Sequence, residues 1–213
     1  MRIVSISDTH GKHKKLVDIP DGDIIIHAGD VCNRGTMPEL KDFVDWFTTL
    51  PHKHKIFIPG NHDRICEAAP QRSKTIIPRN INYLNDSGIE ISGLKIWGSP
   101  ISPYFFNWAF NRFRGDDIKK HWDIIPRDTD ILIVHGPPYG FGDKVVSPNL
   151  NEDPCVGCKD LAAAIEIIKP KLVVAGHIHE GYSVLKKEKT TYVNASVLDE
   201  RYTLVNDPVI IDL

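Results

Sequence analysis

Arg2-Ile3-Val4-Ser5-Ile6-Ser7-Asp8-Thr9-His10-Gly11 reads as a short strand that ends in an acid and an imidazole two residues apart. That pair makes a poor turn but a good claw for a metal ion. The arrangement recurs along the chain, an apolar run followed by an abrupt polar knot. The later knots are Gly29-Asp30, Gly60-Asn61-His62-Asp63, Val134-His135-Gly136 and Gly176-His177-Ile178-His179. Each apolar run thus delivers oxygen or nitrogen donors at its carboxyl end, where α/β folds gather their ligands. The pattern points to a two-metal hydrolase site.

The runs themselves predict the fold. Asp23–His27, Lys55–Ile58, Asp130–Val134 and Leu172–Ala175 read as strands, the first continuous in isoleucine and so buried on both faces. Leu40, Phe43, Val44 and Phe47 have helical spacing over Met37–Leu50, with Thr36 as cap and Pro51 as stop. Asp160–Ile168 is a second helix, stopped near Pro170. Ile76–Leu84 offers only β-prone pieces broken by Pro78. Ile89–Ile91 and Leu94–Trp97 form a hairpin, and Tyr182–Val193 and Thr203–Ile211 predict two more. Strands alternating with helices imply an α/β fold with a parallel or mixed sheet and outer helices. The whole chain, 1–213, reads as a single domain.

Composition narrows the function. With 41% apolar residues the chain can bury a sizeable core, and four cysteines are too sparse for a disulfide framework. A net charge of −2 provides no basic field for a nucleic acid polymer or an anionic membrane. No apolar run reaches the roughly 20 residues of a membrane span, and no signal peptide is visible. A cytoplasmic protein acting on a small phosphoester is the expectation, with its oligomeric state open. Cys155-Val156-Gly157-Cys158 fits a helix start better than a redox pair or half a zinc site.

Hydrolysing a phosphate ester needs an activated water, charge neutralisation and a proton for the leaving alkoxide. Two divalent ions roughly 3.5–4 Å apart supply the first two. A carboxylate must bridge them, and Asp30 on its tight Gly-Asp turn is the candidate. The mixed imidazole, carboxylate and amide set favours manganese, iron or zinc over magnesium or calcium.

Taken in order from Asp8 to His179, the five blocks resemble the calcineurin-like metallophosphoesterase superfamily. The resemblance implies two mixed β-sheets packed as a sandwich, flanked by helices, with a dinuclear centre at their carboxyl edge. It implies Asp8, His10, Asp30 and His179 on one metal, and Asp30, Asn61, His135 and His177 on the other. It makes His62 the group that assists the leaving alkoxide. The protein serine/threonine phosphatases place an Asp-Arg pair after the bridging aspartate; here the positions read Asn33 and Arg34. Asn33 could hydrogen-bond the imidazole through its amide, and Arg34 is either a phosphoryl contact or a surface residue.

Gly98-Ser99-Pro100, Trp108-Ala109-Phe110-Asn111, His135-Gly136-Pro137-Pro138, Gly176–Tyr182 and Val193-Asn194-Ala195-Ser196 resemble the metallophosphoesterase-domain-containing branch, whose better-known animal members are cyclic-nucleotide phosphodiesterases of modest activity. That implies phosphodiester hydrolysis in a pocket walled by Pro100–Arg114 and Pro137–Pro154. A phosphomonoesterase, or a binding protein on the same fold, is the alternative. The aromatic run Tyr104–Phe113 is expected mostly to cover core, with Phe106 or Trp108 facing the substrate. His13, His52, His54 and His121 are expected at the solvent, and His27 in the core.

Overall fold

A computed structural model describes residues 1–146 and 154–213. In chain order the first half contains strand β1 (Arg2–Ile6), β2 (Ile24–His27), helix α1 (Met37–Thr49), β3 (His54–Phe57), α2 (Arg64–Ala68), α3 (Pro70–Thr75), β4 (Ile81–Tyr83), β5 (Ser87–Ile91) and β6 (Leu94–Ser99). The second half contains β7 (Ser102–Pro103), β8 (Asn111–Arg112), α4 (Asp116–Asp123), β9 (Ile131–Val134), α5 (Lys159–Ile168), β10 (Leu172–Ala175), β11 (Ser183–Lys187), β12 (Thr190–Asn194) and β13 (Val209–Asp212).

Among the described residues these strands form a five-stranded sheet, β13-β1-β2-β3-β4, and a six-stranded sheet, β11-β12-β10-β9-β6-β5. β1 through β4 run parallel, as do β6, β9, β10 and β12, and β13 on the first sheet and β5 and β11 on the second add antiparallel edge strands. Both sheets are therefore mixed.

The continuous isoleucine runs are explained by two buried faces. Successive side chains in a strand point to opposite sides. Ile24, Ile26, Ile131, Ile133, Leu172 and Val174 share one buried cluster, the layer between the sheets. The alternate residues Ile25, Leu132 and Val173 belong instead to the cluster that contains Leu40, Phe43 and Phe47 of α1, Trp122 of α4, and Leu161 and Ile165 of α5. Helices thus cover the outer faces. α1 begins with a reciprocal capping box between Thr36 and Glu39.

The structure corrects several expectations. Thr203–Ile211 is not a hairpin: only β13 forms there, and it leaves its neighbours to pair antiparallel with β1. The edge of β1 is thereby covered, and Leu204 is left with a single bridge to Leu198. Helix α3 occupies the polar stretch ahead of Pro78, and β4 alone survives from the β-prone pieces.

His13 and His52 are buried, not solvent-facing. His13 packs on Phe43 and Trp46 with Nε2 3.2 Å from Asp42, and His52 Nε2 is 2.9 Å from the Pro20 carbonyl. Of the aromatic run, Ala109 and Phe110 are buried, whereas Tyr104, Phe105, Phe106 and Phe113 are exposed, because the segment lies over a cleft and not over core. The Val145–Pro154 loop lies largely outside the described residues.

Ile26 is fully buried between the sheets. Ile26→Ala is expected to lower unfolding free energy by about 2–5 kcal/mol, read from a urea transition with unchanged m-value. A loss below about 1 kcal/mol would contradict a close-packed inter-sheet layer.

Candidate metal centre

Every polar knot follows the carboxyl end of a strand: Asp8 and His10 after β1, Asp30 after β2, Asn61 and His62 after β3, His135 after β9, His177 and His179 after β10. Leaving a strand that sharply requires unusual backbone. Asp8, His10, Asp30 and His177 all have left-handed φ, at 56°, 43°, 56° and 68°. Such residues cost on the order of 1–3 kcal/mol each and persist only where neighbours fix them. Here the Asp8 N–H donates to Gly29 O at 3.0 Å, and the His10 N–H to Asp30 O at 3.0 Å. The His177 N–H donates to the Asp8 carboxylate at 2.9 Å.

Two glycines permit the convergence. A Cβ on Gly60 would lie 2.3 Å from Asp30 Oδ1, and one on Gly176 would lie 2.2 Å from Asp8 Oδ2.

The donor atoms converge as two overlapping groups. His10 Nε2 is 3.3 Å from His179 Nε2, and Asp8 Oδ1 is 3.6 Å from the latter. His135 Nε2 is 2.8 Å from Asn61 Oδ1, and His177 joins it and Asp30 in a second compact set. Asp30 Oδ2 lies between the groups, 3.6 Å from His10 Nε2 and 3.3 Å from His135 Nε2. Donors held about 2.1 Å from a first-row ion sit roughly 3.0–3.4 Å from one another. These spacings fit that requirement. His62 also falls within reach of His10 and Asp30.

The imidazoles are oriented from behind. His135 Nδ1 donates to Ala28 O at 2.9 Å and His179 Nδ1 to Asp199 O at 2.8 Å, so each turns Nε2 toward the cluster. Ser196 Oγ donates to Asp8 Oδ2 at 2.8 Å. Buried Asp63 accepts from the N–H groups of Gly60 at 2.7 Å and Cys32 at 2.8 Å, tying the Asp30 and Asn61 turns together.

The field of the cluster favours positive charge. Burial alone would raise the Asp8 and Asp30 carboxyls, but the surrounding imidazoles hold both well below the ordinary range. Burial opposes charging His135 and His179 as well, yet Asp30 raises the first to about 9 and Asp8 raises the second to about 9. Burial pushes His10 and His177 down to about 4, which leaves neutral imidazoles suited to coordination.

The remaining residues divide. His62 donates from Nδ1 to the backbone carbonyl of Asn33 at 2.7 Å, so the main chain of Asn33, and not its amide, meets the imidazole. Arg34 is exposed, its backbone N–H is held by Glu39, and it does not line the hollow over the cluster. Trp108 does line it. Cys158 starts α5 as its N-cap, with Sγ accepting from the Leu161 N–H.

Sequence reasoning missed Ser196, Asp199, Asp63 and Tyr202. Asp63 and Ser196 lie in motifs that assign them no role, whereas nothing local marks Tyr202, whose ring lies 4.8 Å from His10 and 5.2 Å from His179.

Clustered aspartates and histidines at the carboxyl edge of a double sheet define a candidate metal centre. The calcineurin-like phosphoesterase family model matches residues 1–181, and the chain belongs to that family. Over its full length the chain is 38% identical to human metallophosphoesterase domain-containing protein 1, covering 71% of that protein. It is 37% identical to a Caenorhabditis elegans UPF0046 protein, covering all of this chain and 81% of that one. The branch is therefore that of metallophosphoesterase domain-containing protein 1. Among solved structures, phosphopantetheinyl hydrolase of Mycobacterium tuberculosis shares the fold, with TM-score 0.62, 14% identity, and coverage of 94% of this chain and 90% of that one.

Metal analysis tests the shared position of Asp30. Asp30→Ala is expected to deplete metal across the whole cluster, and Asp8→Ala mainly the His10–His179 side. Equal metal content in wild type and Asp30→Ala would contradict a shared carboxylate.

Proposed function

We propose that the chain hydrolyses small organic phosphodiesters. Asp8, His10, Asp30 and His179 would hold one divalent ion, and Asp30, Asn61, His135 and His177 a second. The donor set suits manganese, iron or zinc. Bound there, the ions supply charge neutralisation on the phosphoryl oxygens and a nucleophilic oxygen at neutral pH.

The chain's own residues do the rest. The Asn33 carbonyl fixes the proton on His62 Nδ1, which leaves Nε2 to carry a second proton toward the departing oxygen. Asp63 and Ser196 keep the carboxylates and turns in register.

The observation that carries the diester reading is the distribution of space and charge. A cleft of ≈ 670 Å³ adjoins the hollow, sharing Phe105, His177, His179 and Tyr202 with it. That volume suits a small organic ligand. Its walls include Tyr104, Pro137, Val156 and Ile178, so it can take the second ester substituent of a diester.

No lysine or arginine lines the hollow among the described residues. Arg114 lines the cleft, but its guanidinium donates to the carbonyls of Gly157 at 2.7 Å and Val156 at 2.6 Å. A diester carries one negative charge where a monoester carries up to two, so it demands less cationic help. Aryl diesters and 2′,3′- or 3′,5′-cyclic nucleotides fit this description.

Manganese-loaded protein assayed side by side is expected to turn over bis(p-nitrophenyl) phosphate and cyclic nucleotides at least about 10-fold faster than p-nitrophenyl phosphate or a phosphoserine protein, a difference of about 1.4 kcal/mol in barrier. Faster cleavage of the monoester or the phosphoprotein would overturn the diester reading.

A further inference from the structure

Trp108 belongs to neither group of donor atoms, yet its ring stacks on His62 with centroids 4.2 Å apart and planes 25° from parallel. The guanidinium carbon of Arg64 lies 4.5 Å from the centre of the same ring. An indole is the aromatic that holds a cation best, so Arg64 steadies it.

The loop carrying Trp108 is fastened on the same segment that carries His62. The Ala109 N–H donates to Asn61 O at 3.3 Å. The Phe110 N–H donates to Glu67 Oε2 at 3.0 Å, and Arg112 Nη1 reaches Glu67 Oε1 at 3.2 Å. On either side of Trp108 the backbone is bent into the left-handed region, at Phe106 (φ 49°) and Phe110 (φ 57°). Strain of this kind needs surroundings that over-determine it.

A single hydrogen bond from Nδ1 to Asn33 leaves an imidazole free to tilt about that bond. The edge contact with His10, at 4.5 Å and 86°, limits one direction only. A flat ring laid on its face opposes tilting out of the imidazole plane, where Tyr202 is more distant at 6.5 Å.

We propose that Trp108, steadied by Arg64, is a positioning residue that fixes the plane of His62 so that Nε2 points at the leaving-group oxygen. The proposal rests on the reading of His62 as the leaving-group acid. It also redirects the expectation that Trp108 faces the substrate, since its ring is engaged by His62 and Arg64.

A double-mutant cycle separates the two ideas. Its substrates are a 2′,3′-cyclic nucleotide, glycerol 1,2-cyclic phosphate, which has no base, and bis(p-nitrophenyl) phosphate, whose leaving group needs no proton. Trp108→Ala is expected to lower kcat roughly 10–100-fold on both cyclic esters, with KM and metal content unchanged. The nitrophenyl ester should change far less, and Trp108→Phe should recover most of the loss. In a His62→Ala background Trp108→Ala should add nothing.

The same fold-loss in both backgrounds would overturn the proposal. So would a KM increase confined to the nucleotide, which would make Trp108 a base-stacking surface. His62→Ala with Trp108 intact tests the underlying reading separately: if it spares the cyclic esters, the acid role fails first.

Discussion

Two carboxylates with almost no contact with water, Asp8 and Asp30, govern this molecule. A buried charge is tolerated only where opposite charge or hydrogen bonds compensate it. The chain meets that demand by closing imidazoles from four separate strand ends around the pair. Asp30 is the pivot, because it faces His10 on one side and His135 on the other. Its other oxygen accepts the His62 N–H at 2.7 Å, so one carboxylate ties the Asp30 turn to the His62 turn.

The rest of the fold serves this convergence. Parallel strands bring their carboxyl ends to one edge, and packing two sheets face to face brings two such edges together. β1, β2 and β3 contribute Asp8, Asp30 and Asn61, while β9 and β10 contribute His135 and His177. Backbone strain concentrates where the chain leaves those strands, at Asp8, His10, Asp30 and His177. The inter-sheet layer of isoleucine and valine provides the rigidity that holds four strained turns in register.

Much of the centre was legible in the sequence because each knot breaks an apolar run with residue types that have no packing use there. Asp8, Asp30 and His135 announce themselves by sitting where a strand should continue or turn on glycine. What the sequence hid were relations across distance. His13 and His52 sit in polar stretches, yet Phe43, Trp46 and the Pro20 carbonyl make buried sites for them. β13 reads as half a hairpin because the need of β1 for an edge partner is not a local property. The aromatic run looks like core by composition, and only its tethers to Glu67 and Asn61 place it over the cleft. Asn33 was legible as a neighbour of His62, but the atom that meets the imidazole is the carbonyl every residue has.

We propose that Asp30 joins two metal positions at the shared edge of the sheets. Anomalous X-ray scattering from manganese-loaded crystals tests it most directly. Two peaks are predicted, one among Asp8, His10 and His179, the other among Asn61, His135 and His177, with the Asp30 carboxylate between them. One peak bounded by His10, Asp30 and His62, or none at this edge, would rule out a carboxylate shared by two ions.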